Sequence, residues 1–296
     1  MSRNILLGCC AAFTFIRIDP VRAELLYATN GSSITRFDST TLGTLTSVPV
    51  IGLQVGETLV GIDLRPATGV LYGIGSTSRM YTIDPIVGTA TQVGSAGAFT
   101  LNGTAFGTDF NPVPDRIRQV SNTEQNLRLN PDDGTPTTDT ALNPAGNIVA
   151  VAYSNNFPGA TSTILYAIDS AAGTLANVTV PNGGGPITAV GSMGLGTNLN
   201  EAIGFDISGL TGTAYASITT GGISRLYTIN LASGAATLAS SNGGAIGSGT
   251  TPFLGLTAAT TVPEPSSVLL LAGTCLLLGI RSRRWTTAQV RPTPIE

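Results

Sequence analysis

A short phrase that recurs five times along the sequence constrains the fold more than any other feature. It consists of alternating apolar residues that end in Asp or Asn, with a glycine shortly after. The five phrases end at Asp38, Asp84, Asn130, Asp169 and Asn230, and in four of the five the glycine follows four positions later. Alternation predicts a half-buried β-strand, and Asp or Asn followed by glycine predicts a tight turn. Each repeat unit is therefore predicted to contain a β-hairpin.

The second repeat unit shows how many strands one unit holds. Asp38 and Asp84 lie 46 residues apart, as do Asp84 and Asn130. Within this length, apolar stretches at 58–64, 70–74, 79–83 and 89–93 are separated by proline or glycine positions. Four short strands in a unit of this size are typical of a propeller blade.

The two ends of the repeat region complement each other. The first unit starts directly at a strand beginning with Leu25, whereas residues 253–259 match an opening strand with no hairpin after it. We therefore predict an all-β, propeller-like closed ring of about five four-stranded units, because closure removes exposed sheet edges. Unequal spacing after Asn130 indicates an insertion at about 181–200, and six units result if this insertion carries strands of its own.

Composition excludes several kinds of active site from the body of the chain, residues 24–260. The chain has no histidine and no lysine, and its three cysteines, at positions 9, 10 and 275, all lie outside the body. Serine or cysteine nucleophiles paired with histidine, imidazole metal sites and lysine Schiff bases are thereby excluded. Between Glu24 and Thr261 there are seven arginines and fourteen acidic residues, so nucleic acid is not an expected partner.

The C-terminal region carries a tripartite signal. Val262, Pro263, Glu264 and Pro265 precede an uncharged apolar run at 268–280, and a basic cluster follows at the end of that run. The cluster consists of Arg281, Arg283 and Arg284. The apolar run predicts a single, marginally long transmembrane helix, and the arginines predict a membrane stop on the cytoplasmic side. We therefore predict an anchor segment at 261–285 and a short cytoplasmic tail at 286–296.

This C-terminal signal resembles the PEP-CTERM sorting signal of exported bacterial proteins. The resemblance implies recognition by an exosortase, and it implies an association with exopolysaccharide production and biofilm. At the other end, Arg3 precedes an apolar stretch at 5–16, and Ala23 ends a motif that signal peptidase reads, so 1–23 is predicted to be a helical signal peptide. We expect a protein anchored in the inner membrane, facing the periplasm, that reaches the cell surface or the extracellular space after processing.

The body resembles a secreted bacterial family of propeller-like repeats with unknown function. The most specific parts of the resemblance are Asp109-Phe-Asn-Pro, then Asp115-Arg-Ile-Arg118, then the stretch from Asn126 to Gly134. The resemblance implies the fold and carries no known activity.

Charged residues concentrate in the third unit, and they are open to two interpretations. The candidate binding patch among them consists of Asp109, Asp115, Arg116, Arg118 and Arg128. The guanidinium groups could form a patch that binds sugar or carboxylate, since their fork suits bidentate anion recognition. The alternative is an Arg–Asp network that locks a blade.

A second phrase, Gly-x-Asp followed by an apolar residue, recurs in three predicted opening strands. Its aspartates are Asp63, Asp109 and Asp206. Opening strands of propeller blades line the central axis, so the three carboxylates could converge and hold Ca²⁺. The alternative is that each accepts backbone N–H bonds. No other cofactor is expected.

Two functions from different classes follow. The first is a non-enzymatic exported propeller that binds exopolysaccharide or a surface protein, or that has a structural role in the matrix. The second is an extracellular hydrolase or lyase that uses carboxylates or a metal on polysaccharide. A glycosidase requires two carboxylates about 5–10 Å apart in an open pocket, so geometry discriminates between the two.

Overall fold

The computed structural model describes residues 23–179, 182, 186–240 and 243–259, and its regular structure there is entirely β. The strands are β1 Leu25–Thr29, β2 Ser33–Asp38, β3 Leu45–Pro49, β4 Leu59–Leu64, β5 Leu71–Gly75, β6 Arg79–Ile83, β7 Ala90–Val93, β8 Phe106–Asn111, β9 Arg116–Ser121, β10 Asn126–Leu129, β11 Pro136–Thr138, β12 Ile148–Tyr153, β13 Leu165–Asp169, β14 Thr174–Val178, β15 Ile187–Ser192, β16 Ile203–Ile207, β17 Ala214–Thr220, β18 Ile223–Ile229, β19 Ala236–Leu238 and β20 Gly255–Ala258.

These strands form five four-stranded antiparallel sheets, which are the blades of a propeller. Blade 1 has the order β20-β1-β2-β3, and blades 2 to 5 are β4–β7, β8–β11, β12–β15 and β16–β19. The first strand of each blade is nearly fully buried, whereas the last strands, such as β3, β11 and β19, are mostly exposed. The hydrophobic core therefore lies between the inner halves of neighbouring blades. This arrangement confirms the predicted all-β propeller.

The predicted terminal segments fall outside this description. The signal peptide up to residue 22, the sorting segment 261–285 and the tail 286–296 lie outside the described residues. In the part of the chain that is described, no helix is long and apolar enough to cross a membrane.

Strand positions in blade 2 agree with the sequence prediction within one residue. The predicted stretches 58–64, 70–74, 79–83 and 89–93 correspond to β4, β5, β6 and β7. The agreement follows from the proline and glycine residues that separate the apolar stretches, because these residues end strands and begin turns.

The ring is closed by its C-terminal strand, as predicted. β20 pairs antiparallel with β1, and the register places Ala28 opposite Leu256 and Leu26 opposite Ala258. Blade 1 is thus assembled from the two ends of the body. The edge that β1 would otherwise expose is covered.

The recurring Asp/Asn-Gly phrase forms the turn that the sequence predicts. After β6, the Gly88 N–H donates to the Asp84 carbonyl at 2.8 Å, and the Ile86 N–H donates to Asp84 Oδ1 at 2.8 Å. Gly88 has a φ of 79°, a conformation that favours glycine. The turns that begin at Asn130, Asp169 and Asn230 have the same carbonyl bond from the glycine four positions later.

In blade 4 the recurring phrase lies on the second strand, whereas in the other blades it lies on the third. The phrase that ends at Asp169 forms β13, the second strand of blade 4, whereas Asp84 follows the third strand of blade 2. This shift accounts for the short spacing before Asp169 and the long spacing after it. The predicted insertion at 181–200 contains β15, which is the fourth strand of blade 4. The described part of the ring therefore has five blades, and the six-unit variant is wrong.

Candidate functional site

The first strands of the blades approach each other so closely that little space is left on the propeller axis. A side chain at Gly61 would place its Cβ 2.0 Å from Thr108 Oγ1 on the next blade, and one at Gly107 would lie 2.8 Å from the Val151 backbone nitrogen. The void that these glycines line has a volume of about 10 Å³. A cavity of that size holds about one water molecule. The glycine of the Gly-x-Asp phrase therefore lets the first strands pack closely at the axis.

The aspartates of the same phrase meet at this closely packed axis. Asp63 on β4, Asp109 on β8 and Asp206 on β16 are each at most 1% exposed. One carboxylate oxygen from each lies within 4.8 Å of those from the other two. We call these three residues the axial cluster. Blades 2, 3 and 5 contribute to it.

Each axial aspartate also binds the backbone of a neighbouring blade. Asp63 Oδ2 accepts the Phe110 N–H at 2.7 Å, and Asp109 Oδ2 accepts the Tyr153 N–H at 2.8 Å. Asp206 Oδ2 accepts a 2.6 Å bond from the Ala258 N–H. Every such bond joins one blade to the next around the axis, so the aspartates hold the blades together.

The remaining two blades depart from this pattern in different ways. On β20, Thr257 occupies the aspartate position, where its Oγ1 accepts the Leu64 N–H at 3.3 Å and donates to Asp63 Oδ1 at 2.7 Å. On β12 the equivalent residue is Ala152, which has no polar side chain. The Ile207 N–H, which such a side chain would bind, donates instead to Asp206 Oδ1 at 2.7 Å.

Burial and mutual repulsion change the acidity of the axial cluster. Burial, and then the neighbouring Asp206 charge, raises the pKa of Asp63 well above its usual value. Burial, followed by the charges of Asp63 and Asp206, does the same to the pKa of Asp109. Burial also raises the pKa of Asp206, to about 6, against backbone hydrogen bonds that lower it.

The five residues of the predicted charged patch do not all lie together in the structure. Asp109 belongs to the axial cluster, and Asp115 pairs with Arg65 of blade 2 at 2.5 Å. Arg116 donates to the Asp115 carbonyl at 2.8 Å. Arg118 and Arg128 come together, on adjacent strands β9 and β10, where they stand opposite each other.

Arg118 and Arg128 share one carboxylate, that of Asp139. Arg118 Nη1 lies 2.6 Å from Asp139 Oδ2, and Arg128 Nε lies 2.8 Å from the same oxygen. Arg118 is fully buried, and its remaining guanidinium bonds go to Tyr153, Asn126 and Asn182. Burial alone would raise the pKa of Asp139, but the hydrogen bonds from Arg128 and Arg118 outweigh it and lower the pKa. We call Arg118, Arg128 and Asp139 the arginine network.

A shallow groove between blades 3 and 4 adjoins this network. It has a volume of about 270 Å³ and is lined by hydroxyl, amide and aliphatic side chains. The lining residues are Asn111, Tyr153, Thr163, Ile164, Leu165, Asn177, Val178 and Thr179. None of them carries a formal charge at neutral pH. Asn177 Oδ1 has no hydrogen-bond partner in the structure.

Several residues of these sites were missed by sequence reasoning. Thr257 could have been found, because Gly255-Leu-Thr257 on the closing strand has the Gly-x-Asp form with threonine in place of aspartate. Asp139 and Tyr153 carry no such signal, because neither belongs to a repeated phrase. Their roles depend on contacts across strands and blades.

Comparison with solved structures finds distant similarity. The chain is similar to a protein of unknown function from Bacteroides thetaiotaomicron VPI-5482, at 13% identity and a TM-score of 0.47, over 74% of this chain and 58% of that one. It is also similar to a catalytically inactive virginiamycin B lyase from Staphylococcus aureus in complex with quinupristin, at 12% identity and a TM-score of 0.41, over 73% of this chain and 69% of that one. No curated protein matches the chain.

Two family models match different parts of the sequence. The PEP-CTERM protein-sorting motif matches residues 261–284, which confirms the predicted signal and means that the protein is exported and processed by an exosortase. A model described as a domain of unknown function (DUF4394) matches residues 33–252, which include β2 to β19. The chain therefore belongs to the family of this domain of unknown function, DUF4394.

Proposed function

We propose that this exported propeller is a non-enzymatic binding protein whose groove between blades 3 and 4 takes a neutral segment of exopolysaccharide. The observation that carries the proposal is the lining of that groove. Asn111, Thr163, Asn177 and Thr179 offer amides and hydroxyls beside aliphatic side chains such as Ile164. Sugar rings present hydroxyl groups beside C–H faces, so an uncharged lining of this kind complements them.

Asn177 gives the groove a polar atom that lacks a partner. Its Oδ1 accepts no hydrogen bond in the structure, although the residue lies on β14 at the groove. A buried acceptor without a partner costs about 1–3 kcal/mol, and a donor from a ligand would remove that cost. A sugar hydroxyl in the groove is such a donor once the Asn177 side chain rotates to present Oδ1, which is buried in the structure.

The distribution of carboxylates supports a non-enzymatic role. Glycoside hydrolysis uses two carboxylates that flank the scissile bond in an accessible cleft. The residues that line the groove include no carboxylate. The axial carboxylates are buried, with Asp63 and Asp206 each 1% exposed and bound to backbone N–H groups of the next blade.

The sorting signal supports a role at the cell surface. A protein that an exosortase processes is exported, and exopolysaccharide is a polymer of that compartment. The body is acidic and has no lysine, so electrostatic attraction to an acidic polymer is weak. This charge favours a neutral segment as the ligand.

The test measures binding of the full-length protein, in detergent, to exopolysaccharide extracted from the producing organism. Thr179→Trp fills the groove from its exposed rim, and we expect binding to fall at least tenfold. Thr91→Trp, at an exposed position on blade 2, is the matched control and should bind as the wild type does. Equal binding by both variants would contradict the groove assignment. Release of new reducing ends from the polymer would instead favour the hydrolase.

A further inference from the structure

We propose that the axial cluster binds one Ca²⁺ ion, which joins blades 2, 3 and 5 at the centre of the ring. The proposal does not depend on carbohydrate binding, because the three aspartates are buried and none of them lines the groove. Its role is structural. It makes closure of the propeller depend on calcium outside the cytoplasm.

When all three carboxylates are ionised, the cluster needs a counter-charge. Three ionised carboxylates whose oxygens lie within 4.8 Å of one another, in residues at most 1% exposed, repel strongly in a low-dielectric interior. Arg118 stands opposite Asp109 in the register of β8 and β9. Its guanidinium bonds are nevertheless made within the arginine network and to Tyr153, Asn126 and Asn182. A divalent cation would balance two of the three charges.

Two buried oxygens, one in the cluster and one on the neighbouring Asn156, have no hydrogen-bond partner. Asp109 Oδ2 accepts the Tyr153 N–H, but Asp109 Oδ1 accepts nothing, although the residue is fully buried. Asn156, which is 3% exposed, donates from Nδ2 to Asp206 Oδ1 at 3.4 Å, and its own Oδ1 also has no partner. A half-turn of the amide exchanges its nitrogen and oxygen and directs that oxygen to the cluster. Both atoms are acceptors that a cation satisfies.

The spacing of the oxygens favours Ca²⁺ over Mg²⁺. Two ligand oxygens on opposite sides of an ion are separated by twice the metal–oxygen distance. That separation reaches about 5 Å for Ca²⁺, with bonds of about 2.3–2.6 Å, and only about 4.2 Å for Mg²⁺. The axial oxygens lie within 4.8 Å of one another, and Ca²⁺ spans the whole of that range, whereas Mg²⁺ spans it only up to about 4.2 Å. Carboxylates and an amide oxygen are also the hard ligands that Ca²⁺ takes.

The first experiment measures calcium content and thermal stability of the full-length protein in detergent. After dialysis against Ca²⁺ and removal of unbound ion, we expect about one calcium per chain by mass spectrometry of the metal. After treatment with a chelator, adding Ca²⁺ at about a hundredfold above its Kd should raise Tm by about 5–10 °C, and the same concentration of Mg²⁺ should raise it less. Absence of bound calcium together with an unchanged Tm would overturn the proposal and leave the carboxylates sharing protons.

Two variants locate the ion. Asp109→Asn retains an oxygen for the Tyr153 N–H and removes one charge, so it should lose the bound calcium and the calcium-dependent rise in Tm. Asp139→Asn changes a buried carboxylate of the arginine network and should melt lower while keeping the same calcium-dependent rise. If Asp109→Asn does not fold, Asn156→Ala tests the location of the ion instead. We expect this variant to lose about tenfold in calcium affinity. Wild-type affinity in the variant that folds would place any bound calcium elsewhere and overturn the assignment.

Discussion

At the scale of single residues, the arginine network shows how two positively charged side chains of blade 3 are paired. Arg118 is fully buried, and Asp139 is its anionic partner in a salt bridge of 2.6 Å. The same carboxylate also holds Arg128, so one acidic side chain satisfies two arginines on adjacent strands. Removing one partner of a buried ion pair leaves a charge without compensation, which is costly.

We predict that Asp139→Ala lowers the free energy of unfolding by about 3–5 kcal/mol, because Arg118 is left buried and unpaired. Urea denaturation of the purified protein measures this change. The control is Asp132→Ala, which removes the more exposed partner of Arg65 and should cost about 1 kcal/mol or less. Similar losses in both variants would show that the network does not stabilise blade 3.

The acid side of the stability profile should also depend on Asp139. Its pKa is lowered in the folded protein, whereas in the unfolded chain an aspartate titrates near about 3.9. The unfolded state therefore binds more protons in acid, so the free energy of unfolding falls as the pH drops from about 5 through the folded pKa. Urea denaturation at a series of pH values should show a shallower fall for Asp139→Asn than for the wild type. Parallel profiles would contradict the assigned pKa.

At the scale of elements, the hairpin turns show which glycines the fold requires. Gly88 has a φ of 79°, and a Cβ there would lie 2.0 Å from the Pro49 carbonyl oxygen on blade 1. Gly43, which follows the first copy of the phrase, has no positive φ, and a Cβ added there would meet no atom within 4 Å. The same residue type in equivalent phrases is therefore required at one turn and dispensable at another.

We predict that Gly88→Ala lowers the free energy of unfolding by more than about 1 kcal/mol, through backbone strain and the clash with Pro49. Gly43→Ala should be neutral or stabilise by up to about 1 kcal/mol, since alanine restricts the unfolded chain. Thermal denaturation of the two variants beside the wild type makes the comparison. An equal loss of unfolding free energy at both positions would mean that the turn geometry at Gly88 does not determine the need for glycine.

The hairpins could be predicted from the sequence because their signals are local, but the place of one hairpin within its blade could not. Strand β13, with the sequence Leu-Tyr-Ala-Ile-Asp, fits both the second strand of blade 2, Leu-Tyr-Gly-Ile-Gly, and the third, which leads to Asp84. The structure pairs it between β12 and β14. That choice depends on long-range pairing, which no short pattern reports.

At the scale of the whole molecule, convergence of the axial cluster could be considered from sequence because equivalent positions of repeated strands face the same axis. The partners of the residues in the predicted charged patch could not be predicted from the sequence. Asp115 finds its partner, Arg65, on blade 2, and Asp139 follows the last strand of blade 3. Such ion pairs form only when the blades pack against each other. The sequence alone therefore could not decide whether the charged residues of the third unit form an Arg–Asp network or a ligand-binding patch.

Closure of the ring requires strands from opposite ends of the body to pair. β20 and β1 come from opposite ends of the body, and their pairing completes blade 1. β20 also brings Thr257 and the Ala258 N–H to the axial cluster. The strand that closes the sheet therefore also supplies hydrogen-bond partners to the axial cluster.

The most direct test of ring closure is a disulfide across the closing strands in the body alone, residues 24–260, which contain all twenty described strands and no native cysteine. Ala28 and Leu256 are register partners, so the pair Ala28→Cys and Leu256→Cys should form one disulfide in the folded protein. Ala28→Cys with Ala258→Cys, two residues out of register, should remain reduced under the same conditions. Oxidation of the second pair as readily as the first, or of neither pair, would contradict a ring closed by β20.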